Sequence, residues 1–412
     1  MTKKSYARVV VLLCAVTYFI SYLTRINYAS LISAIKDARA ITDVAASAVV
    51  TGSSVTYGIG QLISGYLGDK IKPVKLIFIG LLVTVLMNIL LPLCPNVTLM
   101  TVVWCINGLA QAFMWPPMVK YLTQVLDREE YSSACVKVSW GSYVGIIAVY
   151  LFSPLCLMAF HKWEYMFFIS AGLGLIVAFV WLYASQKLQK MSFKKADEPI
   201  VSTKTDKAPK TKMPVNSGIV FMIAFTMIAI VLQGILRDGI TTWMPTYVKN
   251  TYGLSNEISI LTGVVLPLYS IGFTQFTTWI YLKKIKNEHT CAALIFALAT
   301  VSSVVLGIFY SSGAAVSVAL SALVTGCMHA VNLVLICMIP ARFEKYGNVS
   351  FMSGLLNSCT YVGSALSGFG MAAVATAFGW RATIFSWAIV AGVGALICFL
   401  MCRRWGKFIS NN

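Results

Sequence analysis

One feature restricts this chain more than any other: apolar runs of about twenty residues recur along its whole length. A helix of that size rises about 1.5 Å per residue and matches the roughly 30 Å hydrocarbon thickness of a bilayer. The runs fall near 9–34, 46–68, 75–94, 98–124, 134–158, 165–186, 217–247, 258–282, 290–311, 314–340, 350–376 and 382–402. Lipid offers no hydrogen bonds to exposed backbone, so such runs cross it as helices. The expected fold is an all-α membrane protein with 12 transmembrane helices in two six-helix, pseudo-symmetric bundles. Composition agrees. Only 11% of the 412 residues are charged, against about 25% in a typical soluble domain. The first run is too long for a cleaved signal peptide and lacks its small-residue cleavage site.

A net charge of +18 invites a nucleic-acid partner, but the placement of the basic residues excludes one. They cluster in alternate loops: Lys3, Lys4 and Arg8; Lys70, Lys72 and Lys75; Lys187 to Lys212; Lys283, Lys284 and Lys286; Arg342 and Lys345; Arg403, Arg404 and Lys407. This positive-inside pattern places both termini and the long middle loop in the cytoplasm of a multi-pass protein of the cell membrane. Residues 187–216 are Lys-rich, carry three prolines and have no apolar period, so they read as a cytoplasmic linker. The chain then divides into an N-terminal bundle over 1–186, that linker, and a C-terminal bundle over 217–412. The 11 cysteines form no CxxC pair and the histidines no metal cluster. No phosphate loop and no nucleophile–base constellation is present. Neither an enzyme nor a metal or other cofactor is expected, and the protein is expected to act as a monomer. Asn96 heads a sequon in an outer loop.

Charges inside the spans narrow the function. Arg25 lies 17 residues beyond Arg8, roughly 25 Å along the helix, and Arg237 is similarly deep in the seventh run. An Arg at a helix centre costs about 2.5–3.5 kcal/mol to insert. The segments SYLTRIN (21–27) and QGILRDG (233–239) hold the two residues at corresponding places in the two halves, as in transporters built from repeats with a midplane site. Two guanidiniums facing one cavity make a bidentate clamp for an oxyanion; the alternative is that each is paired inside its own bundle. Asp238 adjoins Arg237. Ionised beside the cavity it favours a monoanion; turned away or protonated it leaves a clamp for a dianion such as a phosphate ester, and it is also a candidate proton carrier. Tyr18 and Tyr22 share a helix face with Arg25, either to hydrogen-bond substrate or to pack between helices. His329 and Asn332 are polar residues in the tenth run, there either to face the bundle interior or to pack between helices; His329 is a further candidate for proton or charge tuning. Gly58, Gly60, Gly141, Gly145, Gly363 and Gly368 let membrane helices approach closely.

The loop GYLGDKIKPVKL (65–76) resembles the signature of the major facilitator superfamily, with Pro73 near its usual glycine. Gly65, Asp69 and Lys70 are expected to form a conformational latch. The second half repeats the basic residues at 277–289 but not the Gly and Asp. YFISYLTRINYA (18–29), NGLAQAFMWPPMVKYL (107–122) and ILRDGITTWMPTYVK (235–249) further resemble the organophosphate:phosphate antiporter family, which includes glycerol-3-phosphate, hexose-6-phosphate and glucose-6-phosphate transporters. The resemblance covers most of the chain. It implies that Arg25 and Arg237 are phosphate-binding arginines, that Tyr18, Tyr22, Tyr57 and Tyr361 are cavity tyrosines, and that Gln111 and Trp115 line the cavity. There are departures. Gln61 stands where family members often have Lys, Ser142 where they have His, and a family ion pair falls at Ile26 and Thr242.

The implied function is secondary transport of a small organic anion, a phosphorylated sugar or glycerol-type metabolite, exchanged for inorganic phosphate by alternating access across the lipid bilayer. Proton-coupled symport of an organic anion, or a transporter-like receptor for the same ligand, are the competing readings.

Overall fold

A computed structural model describes residues 2–191, 217–254, 262–263 and 265–410. Most of the expected linker, 192–216, lies outside these residues. Every described element is helical. In chain order they are α1 (Lys3–Ser30), α2 (Ile32–Arg39), α3 (Asp43–Lys70), α4 (Pro73–Leu90), α5 (Val97–Gln111), α6 (Trp115–Val125), α7 (Arg128–Phe160), α8 (Glu164–Lys190), α9 (Ser217–Tyr252), α10 (Val265–Lys283), α11 (Glu288–Ile308), α12 (Ala314–Asn332), α13 (Ile339–Ala341) and α14 (Val349–Ser410). Among the described residues, nine segments are long and apolar enough to cross a membrane. The remaining expected spans coincide with α3, α10 and the first arm of α14, whose Ser, Thr and Gly residues dilute their apolar character.

Local chemistry sets the ends. Thr42 caps α3 through the Ala45 amide, Asn287 caps α11 through Thr290, and Asn96, the sequon residue, caps α5 by accepting from the Leu99 amide at 2.9 Å. Such caps satisfy backbone donors that a helix start leaves open. Pro73 sits in the first turn of α4, where a missing N–H costs nothing. Gly379, at φ +78°, bends α14 into arms 349–378 and 380–410; a left-handed φ is available to glycine without strain.

Two expected single helices are interrupted. The run 98–124 stops at Gln111 and restarts at Trp115 as α6. Pro116 and Pro117 occupy the new first turn, because they cannot donate into an unbroken ladder. The run 314–340 changes at Leu333–Met338 to π-helical winding ahead of Pro340.

Contacts group the described residues into two units. The first contains 2–191 with 343–355, and the second contains 217–342 with 356–410. In the first unit α1 packs on α7 and α8, α3 on α5, and α4 on α8. A core of Ile20, Leu23, Tyr28, Met87, Trp104 and Phe167 fills it. In the second unit α12 packs on α9, α10 and α11. Lipid gives apolar helices no reason to associate, so close contact falls to small residues. A Cβ on Gly141 would lie 2.4 Å from the Ala15 carbonyl oxygen, and one on Gly363 would lie 2.2 Å from that of Val231. The α1–α7 crossing and the crossing of α9 with the first arm of α14 are thus backbone-to-backbone. Side chains such as Leu12, Met158 and Phe399 remain exposed, as lipid-facing positions do.

Candidate functional site

In the first unit, α1 places Tyr18, Tyr22 and Arg25 at steps of four and three residues, on one face. The Arg25 guanidinium carbon lies 4.2 Å from the Tyr22 ring centre and 4.5 Å from that of Tyr57 on α3. Tyr18 continues the cluster, with its ring centre 5.2 Å from Tyr22 and 5.0 Å from Trp115 at the start of α6. The break between α5 and α6 is therefore what brings Trp115 to the tyrosines. Ring faces attract a guanidinium by about 0.5–2 kcal/mol, depending on how dry the site is. They hold its charged carbon beside two rings of the first unit.

The other candidates of this unit are more committed to the protein. Gln111 is buried and donates to Thr24 Oγ1 at 2.9 Å. The Ser142 hydroxyl donates to the Ser139 carbonyl at 2.6 Å. Gln61, one turn after Tyr57, is fully buried.

In the second unit, Arg237 and its neighbour on α9 form a bidentate pair: Nε to Asp238 Oδ1 at 2.6 Å and Nη2 to Oδ2 at 2.8 Å. The Ser364 hydroxyl also donates to Asp238. His329 on α12 lies close enough to interact electrostatically with both members of the pair. One turn before Arg237, Gln233 accepts from Asn332 at 3.4 Å. Tyr361 is half-buried on the first arm of α14, three residues before Ser364. The tight approach of Gly234 to the Thr360 carbonyl oxygen, 2.4 Å from a would-be Cβ, sets that arm against α9.

The signature loop forms a third cluster. Asp69 ends α3 and accepts from the backbone amides of Ser350 at 2.9 Å and Phe351 at 2.7 Å, in the first turn of α14. A carboxylate there also meets the positive end of the helix dipole. Lys120 lies 3.8 Å from Asp69 and donates to the Gly68 carbonyl at 2.7 Å. A side chain at Gly65 would come within 2.8 Å of the Ser350 carbonyl oxygen. Lys70 takes no part in this cap; it lies over the ring of Tyr66, 4.0 Å from its centre.

Sequence reasoning missed a fourth cluster. Glu288, fully buried, accepts from Tyr281 at 2.6 Å, Arg342 Nε at 2.6 Å and Trp405 Nε1 at 2.7 Å. Its residues lie in stretches that read as basic loops and chain end. Among the described residues no group of His, Cys, Asp or Glu has the arrangement to hold a metal.

Residues 14–336 match the model of a family described as Major Facilitator Superfamily. A glycerol-3-phosphate transporter of Bacillus subtilis is 24% identical over 67% of this chain and 65% of its own length, so the chain spans just under two thirds of it. A probable hexose phosphate transport protein of Chlamydia muridarum is 22% identical over 84% of this chain and 80% of its own. The membrane sensor protein UhpC of Salmonella typhimurium is 22% identical over 92% and 88%. Among solved structures, the proton:xylose symporter XylE superposes with TM-score 0.71 at 11% identity, covering 97% of both chains. The transporter FucP in its outward conformation also gives 0.71, at 13% identity, covering 97% of this chain and 99% of its own.

Proposed function

The chain belongs to the Major Facilitator Superfamily, and from that premise we propose that it is a secondary transporter of a small phosphorylated metabolite, a glycerol- or sugar-phosphate, exchanged for inorganic phosphate. The observation that carries this reading is Arg25, held deep in a span between the ring faces of Tyr22 and Tyr57. A guanidinium so placed suits a multidentate oxyanion such as a phosphoryl group better than a sugar hydroxyl. Arg237 supplies the second anchor, with Asp238 as its resident counter-ion. A phosphoryl group competes with that carboxylate for the same fork. Tyr18, Trp115 and Tyr361 complete the contacts, and Gln61, Ser142 and His329 tune them. The relatives that carry glycerol 3-phosphate and hexose phosphates support the same substrate class.

Exchange needs no separate coupling ion, because phosphate leaves by the route the ester enters. Asp238 is engaged by its bidentate pair with Arg237, which favours phosphate over a proton as the exchanged species. Asp69 and Gly65, at the joint of α3 and α14, act as the latch of one conformation; Lys70 contributes charge on the cytoplasmic side. The basic loops orient the protein with both termini in the cytoplasm, and the two bundles, joined by the linker, work as a monomer in the cell membrane.

Counterflow tests the proposal. Proteoliposomes loaded with labelled inorganic phosphate should release it when glycerol 3-phosphate or glucose 6-phosphate is added outside, and not when glycerol or glucose is added. No phosphate release with any ester would rule the exchange out. The sensor relative supports a second reading, a receptor for the same ligand. Ester binding to the purified protein without any flux would establish it.

A further inference from the structure

We infer that Thr24 is a positioning residue for Arg25, and that Gln111, Asn88 and Asn107 serve it by fixing the rotation of α1 rather than by meeting substrate. This rests on the reading that Arg25 binds the substrate anion.

Thr24 is fully buried and gathers contacts from two neighbouring helices. Its hydroxyl accepts from Gln111 Nε2 of α5 at 2.9 Å and donates back to the Ile20 and Ser21 carbonyls of its own helix at 2.9 and 3.1 Å. Its carbonyl oxygen accepts from Asn88 Nδ2 of α4 at 3.0 Å and from Asn107 Nδ2 of α5 at 3.2 Å. Asn88 is itself held, donating to the Thr84 carbonyl at 2.9 Å and accepting from Asn27 Nδ2 of α1 at 2.8 Å. Three amide side chains from two helices thus close on the residue before Arg25, and one of them, Asn88, also holds its near neighbour Asn27.

The opposite requirement operates elsewhere on α1. Against α7 it packs on Gly141 and Gly145, where a Cβ would meet backbone oxygens of Ala15 and Phe19. Such a contact brings the backbones close across small residues and gives little directional hold on rotation. Successive helix residues point roughly 100° apart. Pinning Thr24 toward α4 and α5 therefore fixes where Arg25 points, namely at the ring of Tyr57 on α3, while Tyr22 travels with Arg25 on α1. Inside a membrane the amides have no water to turn to, so a rotated α1 would take from Gln111 and Asn107 the acceptors they use here and leave Asn88 with the Thr84 carbonyl.

Thr24→Val removes the hydroxyl at nearly constant shape, and Thr24→Ser restores it. In phosphate exchange, Thr24→Val should raise KM about tenfold with Vmax within about twofold of the parent, and Thr24→Ser should match the parent in both. A second readout needs no substrate. With the native cysteines replaced, Arg25→Cys is labelled by a cationic methanethiosulfonate, and adding Thr24→Val should slow that reaction at least about threefold, as the residue turns away. If Thr24→Val does not accumulate in the membrane, Gln111→Met, similar in shape but without the donor, should slow the labelling likewise. An unchanged labelling rate overturns the inference, as does a Thr24→Val whose KM is normal or a Thr24→Ser as impaired as Thr24→Val. Parent protein that exchanges no phosphate would instead defeat the proposed function, and the labelling would still decide the role of Thr24.

Discussion

Arg25 and Arg237 occupy corresponding places in the two halves, yet their surroundings differ in kind. Arg25 lies over two tyrosine rings. Arg237 is forked onto a carboxylate one residue away, and the second unit repeats that solution at Arg342, which binds the buried Glu288. Rings orient a guanidinium and leave its charge in place. A carboxylate neutralises it and must be displaced before another anion can use the same face. Under the proposed function, the two halves therefore offer anchors of different kinds, one set by rings and one whose carboxylate partner the substrate displaces.

The largest expected effect concerns the second unit's pairs. Arg342→Met leaves the buried Glu288 without its guanidinium partner, and should lower unfolding stability by about 3–5 kcal/mol. Thermal melting in detergent measures it, and adding Glu288→Gln should recover part of the loss. A melting point unchanged by Arg342→Met would mean that this pair is not what holds the end of α13 to the start of α11. Arg25→Lys comes next. An ammonium has neither the fork nor the flat face for stacking, so exchange at low substrate should fall about 100-fold, roughly 2.7 kcal/mol. Arg237→Lys should cost less, about tenfold, because Asp238 already holds one face of that guanidinium. Equal losses at the two positions would break the comparison. The smallest effect sharpens it: Tyr57→Leu should raise KM about threefold by removing a ring beneath Arg25, whereas Tyr57→Phe, which keeps the ring, should not.

Much of this architecture was legible in the sequence because burial in lipid demands long apolar runs, and little else produces them. The positions of α1, α4, α7, α8, α9, α11 and α12 follow from those runs to within a few residues at most boundaries. Hydropathy could not show the interruption at Ala112–Met114 or the π-helical segment before Pro340, since both depend on backbone donors and not on apolar content. The same limit applies to the site. A charge in lipid announces itself, so Arg25, Arg237 and Asp238 stood out. What each charge touches depends on helix rotation, which sequence spacing constrains only along one helix. Tyr18 and Tyr22 could be placed beside Arg25 for that reason, while the Arg237–Asp238 fork, which needs two adjacent side chains to lean together, could not. Asn88 and Asn107 were visible as amides within apolar runs, but their common acceptor on a third helix was not. Gln111, expected at the cavity by resemblance, donates to Thr24, a contact that resemblance did not indicate.

The claim on which the rest depends is that the deep guanidiniums recognise a phosphoryl group. Thermal-shift titration of the purified protein tests it most directly, with glycerol 3-phosphate set beside glycerol and the parent beside Arg25→Lys. The account predicts a concentration-dependent rise in melting temperature for the parent with the ester alone, abolished by Arg25→Lys. Equal shifts with ester and alcohol, or a shift that survives Arg25→Lys, would contradict it.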